Sequence, residues 1–130
     1  MEFKSINPFN NKEVGFYTAL SKEETTVKLD NAQIAFKTWR KVPLAERTLL
    51  IKKAGQVLRD NVEEYAKMIT LEMGKPIKES RAEVNKCAWV CDYYAENAAT
   101  FLQDEVIPTD AQKSFVRHDP IGTVLAIMPW

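Results

Sequence analysis

Apolar residues recur every three or four positions over residues 21–102, the spacing that places them on one face of a helix. This pattern predicts four helices, which we expect to begin at Ser21, at about Leu44, after Asn61 and at Ile77. The positions expected to face inward are Leu29, Ala32, Phe36 and Trp39, then Leu50, Ala54, Val57 and Leu58, then Val62, Tyr65, Ala66, Ile69 and Met73, and finally Val84, Ala88, Cys91, Ala95, Ala98 and Leu102. Since each apolar stripe needs a partner, we expect this part of the chain to be a mostly α structure.

Capping residues set the boundaries of these helices. Ser21 is followed three residues later by Glu24, the spacing of a capping box. Pro43 is expected to end the first helix, because a proline lacks the backbone N–H and restricts the residue before it. Gly74 suits the left-handed position after a helix, and Pro76 suits the first turn of the next one.

The fourth predicted helix is long for a small domain. It covers about 26 residues and would extend about 39 Å at the usual rise per residue. The mean helix in globular proteins is only about 11–12 residues. A helix of this length is expected to lie against a large partner.

The regions on either side of the helices show the shorter period of strands. Residues 3–20 predict a β-hairpin that turns at Asn10 and Asn11, because asparagine tolerates the left-handed backbone of tight turns. Residues 106–108 and 113–118 predict two further strands joined by a polar connection.

The end of the sequence predicts a buried strand. Residues 119–122 read Asp-Pro-Ile-Gly, which favours a type I turn, and residues 123–130 are almost continuously apolar. Such a run is typical of a strand buried on both faces in a parallel sheet. Because a parallel neighbour requires a long crossover connection, we expect these residues to be the front of a larger α/β protein. On its own, the run should expose an apolar strip and cause self-association.

The composition excludes several classes of function. The chain has 130 residues with 18 basic and 18 acidic side chains, which disfavours a dedicated nucleic-acid or anionic-membrane binder. No apolar run approaches the length of a membrane span, and residues 1–5 lack the apolar core of a signal peptide. Two cysteines are too few for a disulfide scaffold, so a reduced, cytoplasmic setting is expected.

The residues that could carry chemistry have simpler interpretations. Cys87 and Cys91 share a helix face, but a closed zinc site needs four ligands and His118 is the only histidine. We therefore expect both cysteines to be core residues, and we expect His118 to be a surface or packing residue rather than a general base.

Residues 127–130 are the best candidate for a ligand site. They lie at the carboxyl end of the predicted parallel strand, where ligands bind in open α/β sheets. Position alone does not distinguish a ligand site from an ordinary strand end. The four glycines are isolated, so no phosphate-binding loop is predicted.

Several motifs along the whole chain carry a family resemblance. They are Ile6-Asn7-Pro8, Phe36 with Trp39, Pro43-Leu44-Ala45-Glu46-Arg47, Leu71-Glu72-Met73-Gly74-Lys75-Pro76, and Asp119-Pro120-Ile121-Gly122-Thr123-Val124 leading to Met128-Pro129-Trp130. In this order they resemble the N-terminal part of an NAD(P)-dependent aldehyde dehydrogenase. Residues 91–96 and 127–130 are most similar to the succinate-semialdehyde dehydrogenase branch.

The resemblance implies a division of the chain within an α/β fold. Residues 1–102 would supply the hairpin and helices of the cofactor-binding domain, and residues 103–119 would supply strands of an oligomerisation arm. Residues 120–130 would begin the Rossmann-like cofactor sheet, which this chain truncates. Ile127, Met128, Pro129 and Trp130 match positions that line the cofactor pocket in the family.

The resemblance also implies a reaction and its partners. A cysteine thiolate would add to a small aldehyde, hydride would pass to NAD or NADP, and the resulting thioester would be hydrolysed to the acid. The family's catalytic Asn, Cys and Glu would all follow Trp130, so this chain alone is expected to be inactive. A homo-oligomer, dimer or tetramer, is implied. The alternative is a non-catalytic helical scaffold or interaction module.

Overall fold

The structure is a computed structural model, which describes residues 2–128. Its elements follow the chain as β1 (Glu2–Ile6), β2 (Glu13–Thr18), α1 (Lys22–Trp39), α2 (Leu44–Asp60), α3 (Val62–Met73), α4 (Ile77–Phe101), β3 (Glu105–Val106) and β4 (Phe115–Val116). The strands form two separate antiparallel pairs, β1 with β2 and β3 with β4. The four predicted helices and the N-terminal hairpin are therefore confirmed.

The capping box predicted at the start of α1 and the glycine predicted at the end of α3 have the expected geometry, whereas the Asn61 side chain, expected to cap the start of α3, makes no capping hydrogen bond. The Ser21 hydroxyl accepts from the Glu24 N–H, and the Glu24 carboxylate accepts from the Ser21 N–H at 2.7 Å. Gly74 ends α3 with a left-handed φ of 71°. Local sequence determines both ends, because each cap satisfies backbone groups that a helix terminus leaves free.

The core lies along α4, which packs against α2 and α3. Its fully or nearly fully buried members are Gly55, Ala66, Ser80, Val84 and Ala88. All are small or medium in size, so the helix backbones approach closely. A Cβ placed on Gly55 would lie 3.0 Å from the Ala88 carbonyl oxygen. Ser80 is tolerated in this core because its hydroxyl lies 3.0 Å from the Thr70 hydroxyl.

The face of α2 that meets α4 differs from the predicted one. Leu50, Ala54 and Val57, which were expected to face inward, are exposed. The buried position is Gly55, which the periodicity of large apolar residues could not indicate. Helix α2 thus has two apolar faces, and the small-residue face makes the tighter contact with α4.

Helix α1 stands largely apart from the other elements. None of its residues is buried, and Leu29 and Trp39 are 61% and 47% exposed. The predicted stripe of α1 is present on one face, but within residues 2–128 no other helix covers it. Its stability must therefore come mainly from its cap and its own backbone hydrogen bonds.

The hairpin and the second strand pair are shorter than the sequence patterns suggest. The connection of the hairpin spans six residues, with Asn11 in the left-handed region at φ 56° and the Asn7 N–H donating to the Lys12 carbonyl at 2.8 Å. The second pair contains only Glu105–Val106 and Phe115–Val116, in antiparallel register. The turn residues were predicted correctly, whereas the strand lengths were overestimated.

Candidate cofactor segment and its surroundings

The buried strand predicted over 123–130 is not formed within the described residues. Residues 119–128 have no regular secondary structure, and no hydrogen-bonded turn is present over 119–122. Gly122 has a positive φ of 144°, which residues with a side chain rarely adopt. A Cβ at this position would meet no other atom within 4 Å. A doubly buried strand exists only between neighbouring strands, and the four strands of residues 2–128 pair only with one another.

The candidate cofactor residues are exposed. Ile127 and Met128 have 83% and 71% of their surface accessible, and Leu125 on the same segment has 83%. Pro129 and Trp130 lie outside the described residues. The structure therefore leaves Ile127 and Met128 largely uncovered, and their predicted role stays a prediction.

The cysteines differ from expectation. Cys87 is exposed and Cys91 is only partly buried, so the prediction that both are core residues is wrong for Cys87. The cause is the angular position of Cys87, one residue before Ala88, which itself faces α2. Cys91 lies closer to the contact, since its Cβ would be 3.1 Å from a Cβ on Gly55.

The only histidine belongs to a basic cavity, which we call the Arg40–Arg47 pocket. This cavity of about 440 Å³ lies between the end of α1, the start of α2 and residues 118–120. Its polar lining comes from Arg40, Arg47, His118 and Asp119, and its apolar lining from Leu44, Leu102 and Pro120. The sequence analysis considered His118 alone and missed both arginines, because His118 follows Arg47 by 71 residues and nothing local indicates that the two segments meet.

Two exposed ion pairs shape the local electrostatics. The Arg81 guanidinium donates two hydrogen bonds of 2.8 Å to the Glu63 carboxylate, and these lower the pKa of Glu63 and raise that of Arg81. Arg117 donates to Asp104 at 3.1 and 3.2 Å, which lowers the pKa of Asp104 and raises that of Arg117. In each pair the hydrogen bonds are the main cause, because they favour the charged forms.

Among residues 2–128, the side chains do not group into a metal site. No cluster of three or more His, Cys, Asp or Glu side chains in that range is placed to hold an ion. The helices within the same range also lack one that is both long and apolar enough to cross a membrane.

Comparison with known proteins assigns the whole chain to one family. Residues 1–130 match the profile of the aldehyde dehydrogenase family. A relative from Synechocystis sp., named "Probable succinate-semialdehyde dehydrogenase" with NADP(+), is 45% identical over the full chain and is covered over 29% of its own length. The Escherichia coli succinate semialdehyde dehydrogenase Sad, named with NAD(P)+, is 38% identical over 97% of this chain and 27% of its own.

The fold also places the chain with aldehyde dehydrogenases. The solved succinic semialdehyde dehydrogenase of Streptococcus pyogenes, in complex with NADP+, superposes with a TM-score of 0.82 at 30% identity. The match covers 87% of this chain and 25% of that one. The chain thus spans between a quarter and a third of the length of these relatives, and its helices and hairpins reproduce one part of their fold. This 130-residue chain belongs to the aldehyde dehydrogenase family.

Proposed function

We propose that this chain is part of an NAD(P)-dependent aldehyde dehydrogenase that oxidises a small aldehyde, succinate semialdehyde in the first instance, to its carboxylic acid. The observation that carries the proposal is the 45% identity over all 130 residues to a relative named for that substrate and for NADP(+). A second relative, at 38% identity, is named for the same aldehyde.

Within such an enzyme, the residues of this chain would act as scaffold and as one wall of the cofactor site. Residues 1–102 would support the cofactor domain, 103–119 would join subunits of a homo-oligomer, and 120–130 would form the first strand of the cofactor sheet. In the complete enzyme, neighbouring strands would form hydrogen bonds with both edges of the 120–130 segment. A buried parallel strand requires neighbours of this kind. A cytoplasmic location belongs to the same proposal.

The exposed apolar segment fits one part of a nicotinamide dinucleotide. Ile127 and Met128 present accessible apolar surface, which suits the wall of a pocket for a flat aromatic ring. Pro129 and Trp130 would extend this wall. The described glycines are isolated at positions 15, 55, 74 and 122, so a loop for the pyrophosphate must come from elsewhere in the enzyme.

The chain's own side chains do not supply the acyl-transfer chemistry. Bound NAD or NADP would supply the hydride acceptor. Cys87 and Cys91 lie in the middle of α4, away from a helix N-terminus, and neither matches the nucleophile position of the family. We therefore infer that the 130-residue chain alone does not oxidise aldehydes.

The test compares the 130-residue chain with the product of the complete reading frame. We expect the longer product to reduce NAD or NADP in the presence of succinate semialdehyde, and the 130-residue chain to give the rate of a protein-free blank. Turnover by the short chain would contradict its assigned role. A stop codon directly after codon 130 would instead support a helical scaffold or interaction module.

The proposed place of Met128 in the wall of the cofactor site is tested separately, in the product of the complete reading frame. Met128→Asp should raise the KM for the cofactor with a smaller change in the KM for the aldehyde, because a charge on an apolar wall disfavours the ring next to it. Asn10→Asp, an exposed change in the connection between β1 and β2, serves as the control. Equal effects on both KM values would place Met128 outside the cofactor site.

A further inference from the structure

We infer that the Arg40–Arg47 pocket binds a small oxyanion, either a carboxylate or a phosphate. Two arginines and the histidine are among the residues that line this cavity of about 440 Å³, in a chain whose net charge is zero. Arginine stays charged at all physiological pH values and presents a planar set of donors that matches an oxyanion. The cavity is large enough to admit such a group.

Arg47 has a donor that no described residue satisfies. Its Nε atom is shielded from solvent and makes no hydrogen bond within residues 2–128. A shielded donor without an acceptor is costly, and such groups are rare in folded proteins. An oxyanion bound by the edge of the guanidinium would accept from Nε–H and from one Nη–H together, so we expect the Arg47 side chain to turn toward the anion on binding.

The Arg40 guanidinium lies against an aromatic ring rather than against a carboxylate. The Arg40 guanidinium carbon lies 5.3 Å from the centre of the Phe36 ring, a cation–π contact that leaves the N–H donors at the edge available. Within residues 2–128, neither Arg40 nor Arg47 forms an ion pair with a carboxylate at 4.0 Å or less. Both guanidinium groups thus keep their capacity for a ligand.

Asp119 is the single acidic side chain in the lining, against two arginines and a histidine. The start of α2 lies at the same edge: Leu44, its first residue, lines the pocket, and Glu46 is the acidic residue of its first turn. The positive end of the α2 dipole lies at this edge.

The test follows the arginine Nε–H signals of the 130-residue chain by NMR, with Leu125→Asp and Ile127→Asp present to reduce association through the exposed apolar segment. Inorganic phosphate and acetate are titrated separately at constant ionic strength, with sodium chloride as the third arm. We expect saturable movement of the Arg47 Nε–H signal with one or both oxyanions and none with chloride. Saturation by phosphate alone would assign a phosphate site, and saturation by acetate alone a carboxylate site.

Variants decide whether the response belongs to this pocket. Arg40→Ala and Arg47→Met should each weaken binding about tenfold, the loss expected for one charge-assisted contact. Arg81→Lys, at a surface ion pair with Glu63, should leave the affinity unchanged. No movement or unsaturable movement with both oxyanions while Arg40 and Arg47 are present, equal movement with chloride, or unchanged affinity in Arg40→Ala would overturn the assignment. The first two results do not depend on whether a variant folds.

Discussion

Arg117 and Arg81 each donate hydrogen bonds from two nitrogen atoms to one exposed carboxylate, Asp104 and Glu63 respectively. Each pair therefore reports how a neighbouring arginine changes the pKa of a carboxylate. In the folded chain the pKa of Asp104 is lowered, chiefly by hydrogen bonds from Arg117. A carboxylate with a lowered pKa favours the folded state above its unfolded pKa of about 3.9, and this contribution is lost as the pH falls through the folded value. The β3–β4 pair should therefore loosen in acid.

We predict that Arg117→Gln raises the pKa of Asp104 and leaves that of Glu63 unchanged, because the hydrogen bonds and the nearby positive charge are removed from only one carboxylate. Arg81→Gln should do the reverse. Carbon-13 NMR titration of the side-chain carboxyls measures both values. If Arg117→Gln moved the two pKa values equally, the local origin of the shift would be refuted.

Gly55 allows the close contact between α2 and α4. A Cβ at this position would lie 3.0 Å from the Ala88 carbonyl oxygen and 3.1 Å from the Cys91 Cβ. We predict that Gly55→Val lowers the free energy of unfolding by about 1–3 kcal/mol through overpacking, as measured by urea denaturation. Ala54→Val, one residue away on the exposed side, should cost less than about 1 kcal/mol. If both variants lowered the free energy of unfolding equally, the contact between α2 and α4 would tolerate a larger residue at position 55.

At the scale of the element, α1 depends on its own termini more than the other helices do. It has no buried residue, whereas α2, α3 and α4 each have at least one. The reciprocal Ser21–Glu24 hydrogen bonds are thus its clearest source of stability. The ion pair between Arg59 and Asp92 shows the contrast, since it joins α2 to α4 across the core.

We predict that Ser21→Ala destabilises α1 by about 1 kcal/mol, because the Glu24 N–H loses its acceptor. The effect should appear as faster amide exchange and smaller helical carbon shifts in the first turns of α1, with α4 unchanged. Lys22→Ala, which removes no cap, is the control. Unchanged exchange in Ser21→Ala would mean that tertiary contacts, and not the cap, hold the start of α1.

At the scale of the whole molecule, exposed apolar surface is the dominant property of this chain. Leu125, Ile127 and Met128 are more than two-thirds exposed, and the apolar face of α1 is uncovered among residues 2–128. Surfaces of this kind are rare on stable monomers and are normally covered. The relatives, which are three to four times longer, have more sequence with which to cover them.

We predict that the 130-residue chain self-associates at tens of micromolar, because association removes this apolar surface from water. Sedimentation velocity should show a concentration-dependent shift, and the double change Leu125→Asp with Ile127→Asp should reduce it. Asn10→Asp with Asn31→Asp adds the same charge at exposed polar positions and should not reduce the shift. A monomer at every concentration would contradict the prediction.

Much of the local structure could be predicted from the residues themselves. The bounds of α2 and the caps at Ser21 and Gly74 follow from proline, glycine and capping chemistry, which act within a few residues. The packing face of α2 could not be predicted, because Gly55 contributes no apolar signal. The Arg40–Arg47 pocket was missed for a related reason, since it joins residues from three separate segments.

The sequence alone determined the helices, their ends, the hairpin turn and the resemblance to aldehyde dehydrogenases, because each depends on local chemistry or on residue order. Tertiary structure decided which faces meet, which cysteine is exposed and whether residues 123–128 form a strand. Those outcomes depend on groups that are distant in the chain. A strand in particular has no stability without hydrogen-bonded neighbours, and an apolar pattern can predict the need for neighbours without providing them.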